Sequence, residues 1–178
     1  MLIPNFNKKI LLLLFYLTIV SGNACASQYL NKIDDKIKFP TLKVIDNNEK
    51  PLILKFDHHI KNKGYVINFW ATWCVPCKKE LPDLSLLKSK IKKYNIDVLT
   101  ISIDKKNIKD QLEFLSNNGA ANLKHFFDKK MNIFKSLKLR GIPTTLIVDH
   151  NGYVISKHEG ILKWGDNEII KKIKRLFY

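Results

Sequence analysis

Cys74 and Cys77 stand two residues apart in Trp73-Cys74-Val75-Pro76-Cys77-Lys78, and no other pair of side chains in the sequence is so plainly spaced for chemistry. Two thiols at that spacing can close into a disulfide and reopen, carrying two electrons. The reactive form of a thiol is the thiolate, and a helix N-terminus lowers a thiol pKa because unpaired backbone N–H groups and the helix dipole favour an anion there. The flanking sequence supplies such a place. Tyr65-Val66-Ile67-Asn68-Phe69 reads as a buried strand, and a helical pattern runs from Lys78 to about Tyr94. A strand feeding a helix sets Cys74 and Cys77 at the first helical turn. Pro76 suits that turn, where its missing donor is not needed.

Other uses of the pair are weaker. Structural zinc needs four ligands, and the sequence holds no second Cys-x-x-Cys. Copper(I) handling by the same two cysteines is the more serious alternative, because soft thiolates bind that ion. A peroxidatic cysteine does not need so close a partner. Adjacent His58 and His59 would point to opposite faces in a strand and read as surface. Glu80 lies three residues past Cys77, on the same helical face. Partly buried, such a carboxylate has a raised pKa and can take the proton of Cys77 near neutrality. The bland alternative is a first-turn acid that complements the helix dipole.

The remaining elements form an alternating series. Leu42 to Ile45 and Leu52 to Phe56 read as two arms of a hairpin around Asp46-Asn47-Asn48-Glu49. In the helix after the cysteines, Leu81, Leu84, Leu87 and Ile91 make one buried stripe, and Pro82 should kink it. Ile96 to Ile103 is a buried strand. Ile108, Leu112 and Leu115 mark a helix closed by Asn118-Gly119, and Lys124 to Phe127 is a short strand. Met131, Phe134 and Leu137 suggest a short helix. Leu146 to Val148 turns through Asp149-His150-Asn151-Gly152 into Tyr153 to Ile155, and a last helix starts near Asp166 with Ile169, Ile170, Ile173, Leu176 and Phe177 on its apolar face. The order predicts an α/β domain, a central mixed sheet flanked by helices with an added N-terminal β-hairpin.

The chain has 178 residues, which suits one domain plus a targeting segment. Lys8 and Lys9, an apolar run from Ile10 to Val20, and Ala24-Cys25-Ala26 read as an export signal over residues 1–26. Cleavage after Ala26, retention as an anchor and lipidation at Cys25 are all open, and all three place the domain outside the cytoplasm. If Ala26 is the cleavage site, Cys25 leaves and the mature chain holds only Cys74 and Cys77. Residues 27–37 read as a polar linker and 38–178 as the domain. Thirty-one basic residues against 16 acidic ones give a net charge of +15, which reads as solvated lysine faces, with attraction to an anionic membrane surface or an acidic partner as the alternative. No aromatic-interleaved basic motif or nucleic-acid fold signature is present, so nucleic acid is excluded as a partner.

Trp-Cys-x-x-Cys on a strand-to-helix turn, with Gly141-Ile142-Pro143-Thr144-Thr145 before a later strand, resembles the thioredoxin fold. The longer run from Asn68 to Pro82, with Glu80-Leu81-Pro82 after the cysteines, is similar to the exported TlpA/ResA-type thiol–disulfide oxidoreductases. That resemblance implies Cys74 as the exposed attacking thiolate and Cys77 as the resolving thiol. It implies a cis peptide at Pro143 facing the disulfide, and Ile142 offering its backbone to a bound peptide. Trp73, as a surface lid, and Pro76 would join Ile142 at the client-binding surface, while Trp70 packs inside. Glu80 matches the acid that tunes the pair in this group. Thioredoxin carries a buried aspartate where this chain has Asn68, which makes Glu80 the better proton acceptor. The implied partners are a disulfide-containing client, in cytochrome c maturation or copper-site assembly, and a membrane thiol-electron transporter as reductant. The sequence gives no reason to expect an oligomer or a cofactor, so a periplasmic or membrane-surface monomer is expected; net oxidation of clients is the alternative direction.

Overall fold

The computed structural model describes residues 30, 32–56 and 63–178. The export segment, Cys25, His58 and His59 lie outside the described residues. One eight-stranded sheet organises the rest. Its strands are β1 (Lys32–Lys38), β2 (Leu42–Ile45), β3 (Pro51–Leu54), β4 (Gly64–Trp70), β5 (Ile96–Ser102), β6 (Lys124–Phe127), β7 (Thr144–Val148) and β8 (Tyr153–Glu159). They lie side by side in the order β1-β8-β7-β4-β5-β6-β2-β3. The helices are α1 (Val75–Ile91), α2 (Ile108–Asn117), α3 (Asn132–Ser136) and α4 (Asn167–Phe177).

The two middle strands are parallel, and every residue of β4 and β5 is buried. Burial on both faces explains their nearly unbroken apolar sequence. β7 runs antiparallel to β4 on its other side, and the tight turn at Asp149–Gly152 returns the chain as β8. Gly152 closes that turn with φ 81°, a conformation a side chain would oppose. Alternation along β4 sends Asn68 toward α1 and Phe69 to the other face, where its ring meets Phe134 of α3 edge-on. Trp70 is fully buried and stacks on Phe114 of α2, which fits its expected packing role. α1 covers β5 and meets α4. It starts at Val75, three residues before the sequence pattern suggests, runs through Pro82 as one element, and ends in a 3-10 turn over Lys92–Tyr94.

The N-terminal hairpin is present. β2 and β3 pair antiparallel, and β2 joins the sheet edge through Ile45 opposite Phe127. The stretch before it differs from expectation. Lys32–Lys38, expected as linker up to residue 37, is an edge strand paired with β8 across an irregularity between Lys32 and Ile37. Its side chains are nearly all exposed, so it carries no alternation for a sequence reading to find. Lysines on an outer strand also discourage pairing with another chain.

Asp97 at the start of β5 is a buried acid set among lysines. Its carboxylate meets Lys63 at 3.0 Å, Lys124 at 3.2 Å and Lys88 at 3.8 Å. Burial pushes its pKa up, but the facing lysines outweigh that and hold it below the ordinary aspartate value. Asp97→Asn leaves three ammonium groups crowded together. Breaking a buried pair costs roughly 3–5 kcal/mol. These lysines are partly solvated, so urea unfolding at pH 7 should show a loss of about 2 kcal/mol. The loss should shrink on acidification, because the lowered pKa stabilises the fold only where the unfolded carboxyl is ionised.

Candidate active site

The loop after β4 brings the chain back over the C-terminal ends of the central strands. Asp104 fixes it, accepting hydrogen bonds from the Thr72 backbone N–H (2.9 Å) and hydroxyl (2.6 Å). Ile103 N–H donates to the Trp70 carbonyl at 3.0 Å. Cys74 then takes the N-cap position of α1 with extended backbone, and its Sγ accepts the Cys77 N–H at 3.2 Å. The sulfur thus occupies the place of an N-cap oxygen, among helix donors that favour an anion. Cys74 and Cys77 are joined as a disulfide.

Access differs between the two sulfurs, though less than the resemblance implies. Cys77 is fully buried, but Cys74 is only 5% exposed rather than open. Its neighbours in the chain are exposed: Trp73 at 64% and Val75 at 65%. Pro76 is exposed beside them, and Ile142 is half-buried. The Ile142–Pro143 peptide is cis. β7 pairs Thr144 with Phe69, so Pro143 sits beside the end of β4, where the chain enters the Cys74 loop. The Pro143 carbonyl accepts the Gly160 N–H at 2.9 Å, which brings exposed Ile161 near the cis peptide.

Glu80 lies one turn beyond Cys77 and is 1% exposed, so it is no solvent-facing complement to the helix dipole. Asn68 Nδ2 donates to its Oε1 at 2.7 Å, and Trp164 Nε1 donates to its Oε2 at 3.0 Å. Burial pushes its pKa up to about 7; the bonds from Trp164, Asn68 and the Leu162 backbone pull the other way without overcoming it. A carboxyl balanced near neutrality can both accept and return a proton. Asn68 also donates to Thr145 Oγ1 at 2.9 Å. The register lines up His158, Thr145, Asn68, Thr100 and His125 across β8, β7, β4, β5 and β6, and all five are buried.

Trp164 escaped the sequence reading, since it stands 84 residues from Glu80 in a segment without periodicity. Asn68 offered a signal, as the one polar residue in an otherwise apolar strand. Trp164→Phe keeps a ring but removes the donor to Oε2. The Glu80 pKa should then rise beyond about 7, by on the order of one unit for a charge-assisted hydrogen bond, visible in a carboxyl NMR titration. Among the described residues, no third His, Cys, Asp or Glu joins the sulfurs in a metal-holding group.

A disulfide whose first cysteine caps a helix on a mixed sheet, with a cis-proline at the head of the strand beside β4, is the arrangement of thioredoxin-like proteins. The comparisons agree. The Redoxin family model matches residues 32–173, and the chain belongs to that family. The thiol-disulfide oxidoreductase ResA of Bacillus thuringiensis (strain Al Hakam) is 28% identical over 155 residues, 84% of this chain and 87% of the relative. The ResA of Bacillus thuringiensis subsp. konkukian is 30% identical over 121 residues, 68% of this chain and 67% of the relative. Among solved structures, a protein described as thiol:disulfide interchange protein DsbE from Chlorobium tepidum superposes with a TM-score of 0.68 at 24% identity, over 81% of this chain and 98% of that one. The thioredoxin domain of a Bacteroides vulgatus thiol-disulfide oxidoreductase gives 0.65 at 18% identity, over 80% and 96%. The chain is a thioredoxin-like thiol–disulfide oxidoreductase of the TlpA/ResA type.

Proposed function

We propose that the protein reduces disulfides in client proteins outside the cytoplasm, with Cys74 as attacking thiolate, Cys77 as resolving thiol and Glu80 as proton acceptor. Cys74 thiolate attacks a client sulfur, the client disulfide breaks, and one client thiolate leaves. Cys77 passes its proton to Glu80 and attacks Cys74, re-forming the Cys74–Cys77 disulfide and freeing the second client thiolate. The client lies along Trp73, Pro76 and Ile142, with Pro143 facing the disulfide. A membrane thiol-electron transporter returns two electrons to the pair, and the protein works as a monomer.

The observation that carries the direction is buried Glu80 one turn from Cys77. Helix donors alone would stabilise thiolate and make the pair oxidising. A carboxylate behind the second sulfur opposes that anion and shifts the balance toward a reductant. The export-signal pattern of residues 1–26 supports a place in the periplasm or on the outer membrane face. Clients in cytochrome c maturation or copper-site assembly follow from the resemblance to the TlpA/ResA group.

Equilibrating the pair with a thiol redox buffer tests the direction. A potential at or below roughly −220 mV is expected, in the range of thioredoxins and glutaredoxins. A value near roughly −120 mV would overturn the reading and make the protein a disulfide donor.

A further inference from the structure

Among the described residues, the groups hydrogen-bonded to the Glu80 carboxylate all donate: Asn68 Nδ2, Trp164 Nε1 and the Leu162 backbone N–H. That arrangement suits a carboxylate. A proton arriving on either oxygen needs an acceptor in reach, and an indole or a backbone N–H can only donate. Asn68 is the exception, because a carboxamide carries an acceptor at its other end. In this structure Asn68 Oδ1 is fully buried and has no hydrogen-bond partner among the described residues. A buried acceptor left unpaired is costly, so its presence calls for an explanation. Both Nδ2 hydrogens are committed, one to Glu80 Oε1 and one to Thr145 Oγ1. The Thr145 hydroxyl can reverse its role from acceptor to donor.

We propose that Asn68 is a positioning residue whose side-chain amide turns over when Glu80 takes up a proton, presenting Oδ1 to the carboxyl O–H in place of Nδ2. Thr145 then donates to the same Oδ1, and Nδ2 takes the buried position that Oδ1 holds in this structure. Glu80 keeps its place beside Cys77 in both protonation states. This rests on the reading of Glu80 as the proton acceptor for Cys77. It also gives a reason for asparagine here: an aspartate 2.7 Å from Glu80 would be a second acid competing for one proton.

The charged and titratable surroundings are few. Asp83 shares α1 with Glu80, and Cys74 and Cys77 titrate only when reduced. β4 and β7 present Asn68 and Thr145, neither of which ionises. His158 of β8 stands edge-on behind Trp164, and His125 of β6 lies beyond Thr100, kept neutral by a burial-lowered pKa of about 4. Lys163 and Asp166 near Trp164 are exposed.

The test is side-chain amide NMR of Asn68 in the oxidised full chain between pH 5 and 9. The expected result is one midpoint shared by the Asn68 amide and the Glu80 carboxyl. Nuclear Overhauser contacts between the Asn68 amide protons and the Glu80 methylenes should be present above the midpoint and lost below it. In Glu80→Gln the Asn68 signals should not titrate. Amide contacts unchanged across the Glu80 midpoint overturn the proposal. Activity gives an independent readout. Asn68→Leu and Asn68→Asp should each move the pH midpoint of disulfide reduction upward, the aspartate by about one unit or more, a tenfold change in proton affinity. Asn68→Asp combined with Glu80→Gln restores an amide–carboxyl pair with the roles exchanged, and should recover thermal stability without recovering the original pH midpoint. Midpoints unmoved in both single variants mark Asn68 as mere filling and overturn the proposal. If Glu80→Gln keeps the wild-type pH profile while Asn68 still turns with Glu80 protonation, the proton-acceptor reading fails and the amide turnover stands.

Discussion

Cys74→Ser should bring disulfide reduction to background, a fall on the order of a thousandfold or more, because a hydroxyl has no accessible anion to replace the thiolate. Cys77→Ser should behave differently. Its Cys74 can attack a client but has no neighbour to release it, so each molecule reacts once and stays joined through a mixed disulfide. The asymmetry comes from access: Cys77 is fully buried in the first turn of α1, whereas Cys74 keeps 5% of its surface exposed. Non-reducing electrophoresis and mass spectrometry, after mixing each variant with a disulfide-bonded protein substrate, give the answer. A trapped adduct with Cys77→Ser and none with Cys74→Ser is expected. Adducts formed through Cys77 in Cys74→Ser would reverse the assignment of the two sulfurs.

Much of this site could be read from local sequence. A buried strand, two cysteines and an apolar stripe at helical spacing suffice to place the pair at a helix start, because strand-to-helix order and the N-terminal donors of α1 are local properties. The same holds for the Asp149–Gly152 turn and for the hairpin of β2 and β3. What escaped depends on distant parts of the chain. β1 has no alternating pattern, since it lies at a sheet edge with both faces largely wet, and only its pairing with β8 makes it a strand. Trp164 reaches Glu80 only because the segment before α4 folds back over α1. The narrow access to Cys74 likewise arises from packing, and nothing in Trp-Cys-x-x-Cys tells how deep the sulfur will sit. Glu80 lies between the two cases. Its helical position is local, but its burial and its pKa depend on Asn68 and Trp164.

Glu80→Gln should separate stability from activity. The carboxyl titrates near 4.5 as a free group and at about 7 in the fold, chiefly because burial disfavours the charge. A folded pKa raised above the unfolded one means that the native state holds the proton more tightly. The resulting stabilisation is complete below the unfolded pKa and is lost as pH rises through the folded one. By linkage, a shift of this size corresponds to about 3 kcal/mol of stability lost between acid pH and pH 8. Glutamine carries no such charge. It keeps one acceptor for Asn68 or Trp164 and sets an N–H against the other, which costs about 1 kcal/mol at every pH. Urea unfolding of the oxidised proteins should therefore find the variant slightly less stable than wild type at pH 4 and about 2 kcal/mol more stable at pH 8. The difference between the two proteins cancels histidines and other groups that titrate in both. Activity should move the opposite way. With no carboxylate to take the Cys77 proton, release of a bound client should slow by roughly 10²–10⁴-fold, and its rise through pH 7 should disappear. A stability difference that stays constant from pH 4 to pH 8 would show that Glu80 carries no raised pKa, and its role as the neutral-pH proton acceptor would fall with it.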